Sequence, residues 1–104
     1  MLEVEALSLE IEHRLKRDRF THLRSWLSER SDKYVVEMEA DGFVATVAVW
    51  KNGCCDFDFL DLQSKTALAW HYEFCCAEDA IRCITHDIDY LPSSARQAQG
   101  PVRR

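Results

Sequence analysis

The side chains able to do chemistry crowd into the second half of the chain. Cys54, Cys55, Cys75, Cys76 and Cys83 supply five thiols, His71 and His86 supply imidazoles, and Asp56, Asp58 and Glu73 supply carboxylates. Such a set could make a thiol nucleophile, a zinc centre, or an acid–base pair of Asp58 with His71. Each needs its own spacing. Four of the five cysteines fall in adjacent pairs and Cys83 stands alone, with no Cys-x-x-Cys, which does not reproduce the spacing of structural zinc sites. No HExxH is present, and the three glycines form no phosphate-cradling loop. The expectation is free thiols, no metal, no cofactor and no catalysis.

The elements that must position these groups belong to one small domain. A chain of 104 residues that is 47% hydrophobic and 11% aromatic has room for one core. Its formal charge of -5 and pI near 5.3 are the wrong sign for neutralising phosphates, so neither nucleic acid nor an anionic membrane is expected as partner. The acidity suits basic protein partners, and equally it keeps a chain dispersed. No apolar run approaches the length of a membrane span. Met1 to Glu12 carries four glutamates and no basic residue precedes His13. That pattern is unlike a secretory signal and, with the odd cysteine count, points to a reduced, cytoplasmic setting.

The first thirty residues show helical spacing in two parts. Val4, Leu7, Ile11 and Leu15 share one face, whereas Phe20, Leu23, Trp26 and Leu27 share another, rotated by more than a right angle. A break near Lys16–Arg19 is expected, with Phe20–Leu27 as the main helical contribution to the core and residues 1–17 as an N-terminal extension. Residues 34–74 read as four strands. Asp41-Gly42 fits a two-residue hairpin turn, which sets Ala40 opposite Phe43 and Tyr34 opposite Val49. At Lys51-Asn52-Gly53 a plain two-residue turn would bury Asp56 and Asp58. A three-residue loop with a glycine bulge instead pairs Val49 with Cys55 and Val47 with Phe57. A loop at Gln63–Thr66 then places Phe59 against Trp70, His71 against Asp58 and Cys54 against Cys75. A closing helix is expected at Glu78–Tyr90, with Ile81, Ile84, Ile88 and Leu91 inward, stopped by Pro92. The predicted fold is α+β: a four-stranded antiparallel meander with N- and C-terminal helices on one face (α-β-β-β-β-α). The domain spans residues 1–91, and residues 92–104, including Gly100-Pro101, form a disordered tail.

This register leaves one sheet face open. It gathers Glu37, Glu39, Asp56, Asp58 and Glu73, with Thr46 and Leu60 between them, His71 beside Asp58 and Trp50 at one end. A tryptophan among carboxylates on a small-residue face has the make-up of a protein-binding surface, an anchor ringed by steering charges. A solvated polar face would look similar, since open antiparallel faces are normally polar. For Asp58 and His71 a cross-strand ion pair accounts for the residues better than a catalytic dyad, because a flat face excludes no water.

Several segments together resemble a family: Leu23-Arg-Ser-Trp-Leu27 as a short helix, Val47-Ala-Val-Trp-Lys-Asn-Gly53 entering a hairpin, the alternating strand Cys55-Asp-Phe-Asp-Phe-Leu-Asp-Leu62, an aromatic strand, and a helix opening Ala77-Glu-Asp. Over about residues 20–91 the chain resembles the TriTu-type immunity proteins, which protect bacteria from an ADP-ribosyltransferase toxin acting on elongation factor Tu. The resemblance implies a monomer that binds its cognate toxin domain 1:1 and occludes the active site. It assigns no contact residues. The partner-binding set Trp50, Asp56, Asp58, Glu73, His71, Glu37, Glu39, Thr46 and Leu60 comes from the open face alone. The alternative is an acidic secretion chaperone for an effector protein, dimerising through the apolar face of Val4, Leu7, Ile11 and Leu15.

Overall fold

A computed structural model describes residues 1–30 and 32–99. In chain order the elements are α1 (Val4–Arg14), a 3-10 turn (Arg17–Arg19), β1 (His22–Leu27), β2 (Lys33–Ala40), β3 (Phe43–Trp50), β4 (Cys54–Asp61), β5 (Thr66–Glu73), α2 (Ala77–Asp89) and α3 (Ser93–Gln99). The five strands form one antiparallel meander in sequence order. The fold is therefore α+β, with five strands and three helices among the described residues, one strand more than expected.

Two hairpins have the register that their turns dictate. Gly42 (φ 93°) and Gly53 (φ 99°) take left-handed backbone that glycine alone adopts freely. Ala40 faces Phe43 and Tyr34 faces Val49. Val49 faces Cys55, Val47 faces Phe57 and Ala45 faces Phe59. Tyr34, Val36, Met38, Val47, Val49, Cys55 and Phe57 are consequently buried on one face with Ile84 and Ile88 of α2.

The extra strand comes from the segment expected to be helical. Leu23 and Leu27 fit both a helical face and a strand alternation, with Ser25 as the inward residue between them. The strand wins because β2 would otherwise present an unpaired edge, which Leu23–Leu27 covers by pairing with Met38–Tyr34. Ser25 can face inward because its hydroxyl donates to Glu12 of α1 at 2.5 Å. The helical break expected near Lys16–Arg19 takes the form of extended backbone at Leu15 and the 3-10 turn. The weights of the two apolar faces are reversed, however. Val4, Leu7, Ile11 and Leu15 are all buried in the common core, while Phe20, Leu23 and Leu27 are only partly buried against it. The α1 face proposed as a dimer contact is thus covered by α2 and the sheet of the same chain.

The β4–β5 connection also differs. Asp61 accepts from the Gln63 amide at 3.0 Å, starting the turn at the end of β4, and Lys65 closes it with φ 58°. The loop is Leu62–Lys65, one residue earlier than Gln63–Thr66, so each β4 residue meets a partner two places nearer the loop. Phe57 faces Trp70 and Phe59 faces Leu68. A two-residue slide preserves which face each side chain takes.

Helix α2 starts one residue before the expected Glu78 and ends at Asp89. Its C-terminus is closed by Arg19, which donates to the carbonyls of Ile88, Asp89 and Leu91 at 2.7, 2.6 and 2.5 Å, satisfying acceptors that a helix end leaves open. After Pro92 the expected disordered tail is instead helix α3, with Ser94 and Ala95 buried and the Ser94 hydroxyl donating to the Asp87 carbonyl at 2.7 Å. Small side chains at Ser94 and Ala95 can pack closely on a neighbour, and that contact decides the structure. Gly100-Pro101 and the rest of the expected tail lie outside the described residues. No helix among the described residues is long and apolar enough to cross a membrane.

Candidate interaction surface

The helices cover one side of the sheet, and alternation along each strand assigns the other. Three cross-strand rows compose the open face. Trp26, Val35, Ala48, Asp56 and His71 form the first; Arg24, Glu37, Thr46, Asp58 and Ala69 the second; His22, Glu39, Val44, Leu60 and Ala67 the third. Lys33 opposite Trp50, and Cys54 opposite Glu73, continue the face beyond the first row. All nine expected partner-binding residues (Trp50, Asp56, Asp58, Glu73, His71, Glu37, Glu39, Thr46 and Leu60) therefore share this face.

Their neighbours are not all as expected. His71 lies opposite Asp56, not Asp58, and its Nδ1 meets Asp56 Oδ1 at 2.6 Å while Nε2 lies 3.4 Å from Glu73 Oε2. The hydrogen bond to Asp56 raises the His71 pKa above its ordinary value. An Asp58–His71 dyad does not form. Asp58 is exposed, with no ion-pair partner among the described residues. Glu37 is paired from β1, by His22 at 3.4 Å and Arg24 at 4.0 Å.

Nor is Trp50 ringed by acids. Lys33 Nζ sits 5.5 Å from its ring centroid, and the hollow of about 440 Å³ beside it is lined by Met1, Arg30, Asp32, Lys51 and Asn52. Asp56, Asp58 and Glu73 lie on β4 and β5, and Glu37 and Glu39 lie on β2. At the β1–β3 end stand the indoles with Lys33 and Arg24, and Glu37 is paired there; at the β4–β5 end Asp58 has no ion-pair partner among the described residues. Trp26, which helical reasoning had turned inward, stands on the open face 37% exposed with the Arg24 guanidinium 4.7 Å from its ring. Only the period-two alternation of His22, Arg24 and Trp26 could have revealed it.

Between the two ends, Val44, Thr46, Leu60, Ala67 and Ala69 floor a depression of about 290 Å³ with Asp58 at its rim. The small side chains make the hollow, because neighbouring rows rise above them. An apolar floor beside an unpaired carboxylate suits the stem and head of a lysine or arginine from another molecule.

The cysteines are all free thiols. Cys55 is buried, which pushes its thiol pKa up and makes it inert. The two-residue slide puts Cys54 opposite Glu73, not Cys75, so the expected Cys54–Cys75 juxtaposition is absent. Cys54 instead lies beside His71. One donor atom from each of Cys54, His71 and Glu73 falls within 4.8 Å of the others. His71 Nε2, which would have to receive a thiol proton, faces Glu73 in an open corner of the sheet.

No known protein-family model, curated protein or solved structure matches the chain.

Proposed function

We propose that the chain is an inhibitory binding protein that grips a folded partner with the open face of its sheet, and that the partner is a bacterial ADP-ribosyltransferase toxin domain. The observation carrying the first part is the uncovered face itself. It joins two tryptophans, an unpaired Asp58 and an apolar hollow on a rigid hydrogen-bonded scaffold. Aromatic anchors with flanking charge are what affinity and steering require. The second part rests on the resemblance to TriTu-type immunity proteins. Of the segments that carry it, the Trp-Lys-Asn-Gly turn, the alternating strand, the aromatic strand and the Ala77 helix start have the expected structure, whereas Leu23–Leu27 is a strand and not a short helix. Blockade by occlusion needs no chemistry from the inhibitor. The chaperone alternative loses its dimer contact, because the α1 apolar face is in the core.

The test is complex formation between the purified chain and a bacterial ADP-ribosyltransferase toxin domain that acts on elongation factor Tu. Mass in solution should show a 1:1 complex, and the chain should suppress ADP-ribosylation of elongation factor Tu. Asp58→Lys should weaken binding by about tenfold or more, equivalent to about 1.4 kcal/mol, and reduce its salt dependence. Trp50→Ala should weaken it in a salt-independent way. Affinity unchanged in both variants would move the interface off this face, and toxin activity undiminished by the native chain would end the assignment.

A further inference from the structure

Cys54, His71 and Glu73 are separated in sequence and joined by the sheet. Cys54 opens β4 directly opposite Glu73, and His71 lies two residues back along β5 on the same face. A sulfur, a ring nitrogen and a carboxylate oxygen all lie within 4.8 Å of one another. Zinc bonded to such donors holds them about 3.5 Å apart, given bond lengths of about 2.0–2.3 Å. Side-chain rotations alone can close that difference, since His71 and Glu73 are exposed and Cys54 is half-buried.

The imidazole is already oriented for coordination. Asp56 holds Nδ1 at 2.6 Å, which leaves Nε2 free of Asp56 and 3.4 Å from Glu73. A carboxylate gripping the far nitrogen fixes the tautomer of a metal-binding histidine and raises its basicity. Asp56, Glu73 and a Cys54 thiolate would gather three anions about one imidazole, and among the described residues no lysine or arginine forms an ion pair with either carboxylate. Thiolate, imidazole and carboxylate together suit zinc, whereas magnesium and calcium favour oxygen donors throughout.

We propose that Cys54, His71 and Glu73 form a zinc-binding site at the β4–β5 corner, with Asp56 as the positioning residue for His71. Three protein ligands leave a fourth tetrahedral position to water. Bound zinc cross-links the start of β4 to the end of the edge strand β5. The site stands independently of the toxin-binding assignment.

Chelator-treated full-length chain is titrated with Co(II), which reports thiolate coordination by a charge-transfer band in the near ultraviolet. The expected result is a band that saturates at one equivalent and disappears on adding Zn(II). Cys54→Ser should abolish it, and Asp56→Asn should weaken binding by about 10–100-fold. His71→Ala should weaken binding by more than Asp56→Asn does. The Cys75→Ser/Cys76→Ser double variant should bind as the native chain does. Binding that never saturates, or that vanishes in the double variant and survives Cys54→Ser, overturns the proposal. A second measurement needs no variant: Zn(II) should slow alkylation of Cys54 as mapped by mass spectrometry, and equal rates with and without zinc overturn it.

Discussion

Removing the Asp87 carboxylate tests how the helical layer is attached to β5. Asp87 is the one buried carboxylate among the described residues, 6% exposed on α2. Its Oδ2 accepts from the Tyr72 hydroxyl at 2.5 Å and from Trp70 Nε1 at 3.3 Å. Both donors belong to an aromatic group around Phe57, stacked on Trp70 at 4.8 Å and edge-on to Tyr72 at 6.2 Å. Burial, and then the hydrogen bond to Asp87, raise the Tyr72 pKa well above its ordinary value, so the phenol stays a donor.

A hydrogen bond to a charged acceptor contributes about 1.5–3 kcal/mol, and the longer indole bond contributes under about 1 kcal/mol. Asp87→Ala also has two gains to set against these. Alanine improves helix propensity by about 0.6 kcal/mol. It also removes a negative charge from the last turn of α2, where the macrodipole disfavours it by about 0.3–1 kcal/mol. The net expectation is a loss of about 1–2 kcal/mol. For a chain of this size, that lowers Tm by about 5–15 °C. Because the compensating gains blur the single variant, the decisive assay is a double-mutant cycle of Asp87→Ala with Tyr72→Phe in denaturant. It should give a coupling of about 1.5 kcal/mol or more. Coupling below about 0.5 kcal/mol, the usual additivity error, would show that the short contact carries no energy and that packing alone holds α2 to β5.

Two further substitutions have opposite expected signs. Tyr34 is 1% exposed and its hydroxyl has no hydrogen-bond partner among the described residues, so Tyr34→Phe should leave stability unchanged or raise it by about 1 kcal/mol. Burial pushes the Tyr34 phenol up from 10.0 to about 12. Its folded pKa exceeds the unfolded one, so its contribution is complete below pH 10 and is lost as pH rises toward 12. Tyr34→Phe should therefore shrink the alkaline fall in stability, and an unchanged fall would refute the burial argument. Gly53→Ala should cost more than Gly42→Ala in thermal melts. Both glycines have positive φ, worth about 1–2 kcal/mol to an L-residue. A Cβ at Gly42 meets open space, whereas one at Gly53 runs into the Phe74 carbonyl. Equal losses would mean that β5 yields freely there.

The parts of the fold legible in sequence were those fixed by short-range stereochemistry. Asp41-Gly42 specifies its own two-residue turn, and at Lys51-Asn52-Gly53 the plain two-residue turn is ruled out because it would bury Asp56 and Asp58. Helix α2 was legible from its isoleucine spacing and from Pro92. The failures share a cause: a distant contact outweighed a local pattern. Leu23 and Leu27 suit a helix until β2 offers an edge. Ser93–Gln99 look unstructured until Asp87 supplies a carbonyl for Ser94 and the core takes Ala95.

The candidate site was legible by face and not by row, and the difference follows from the pleat. Moving a strand by two residues keeps every side chain on its side of the sheet, so hydrophobic patterning cannot detect the slide. Aromatics at Trp70, Tyr72 and Phe74 satisfy the core in either register. What separates the registers is the Asp61 side chain, which captures the Gln63 amide and begins the turn early. The consequences are chemical: the slide parts His71 from Asp58 and gives it to Asp56, and it exchanges Cys75 for Glu73 opposite Cys54. An unpaired acid over an apolar hollow and a thiol–imidazole–carboxylate corner both arise from that one capped turn. Asp61→Ala is therefore the substitution that should disturb both together, by releasing the alternative β4–β5 pairing, and a Cys54 corner that still bound zinc with native affinity in that variant would show that the register has some other anchor.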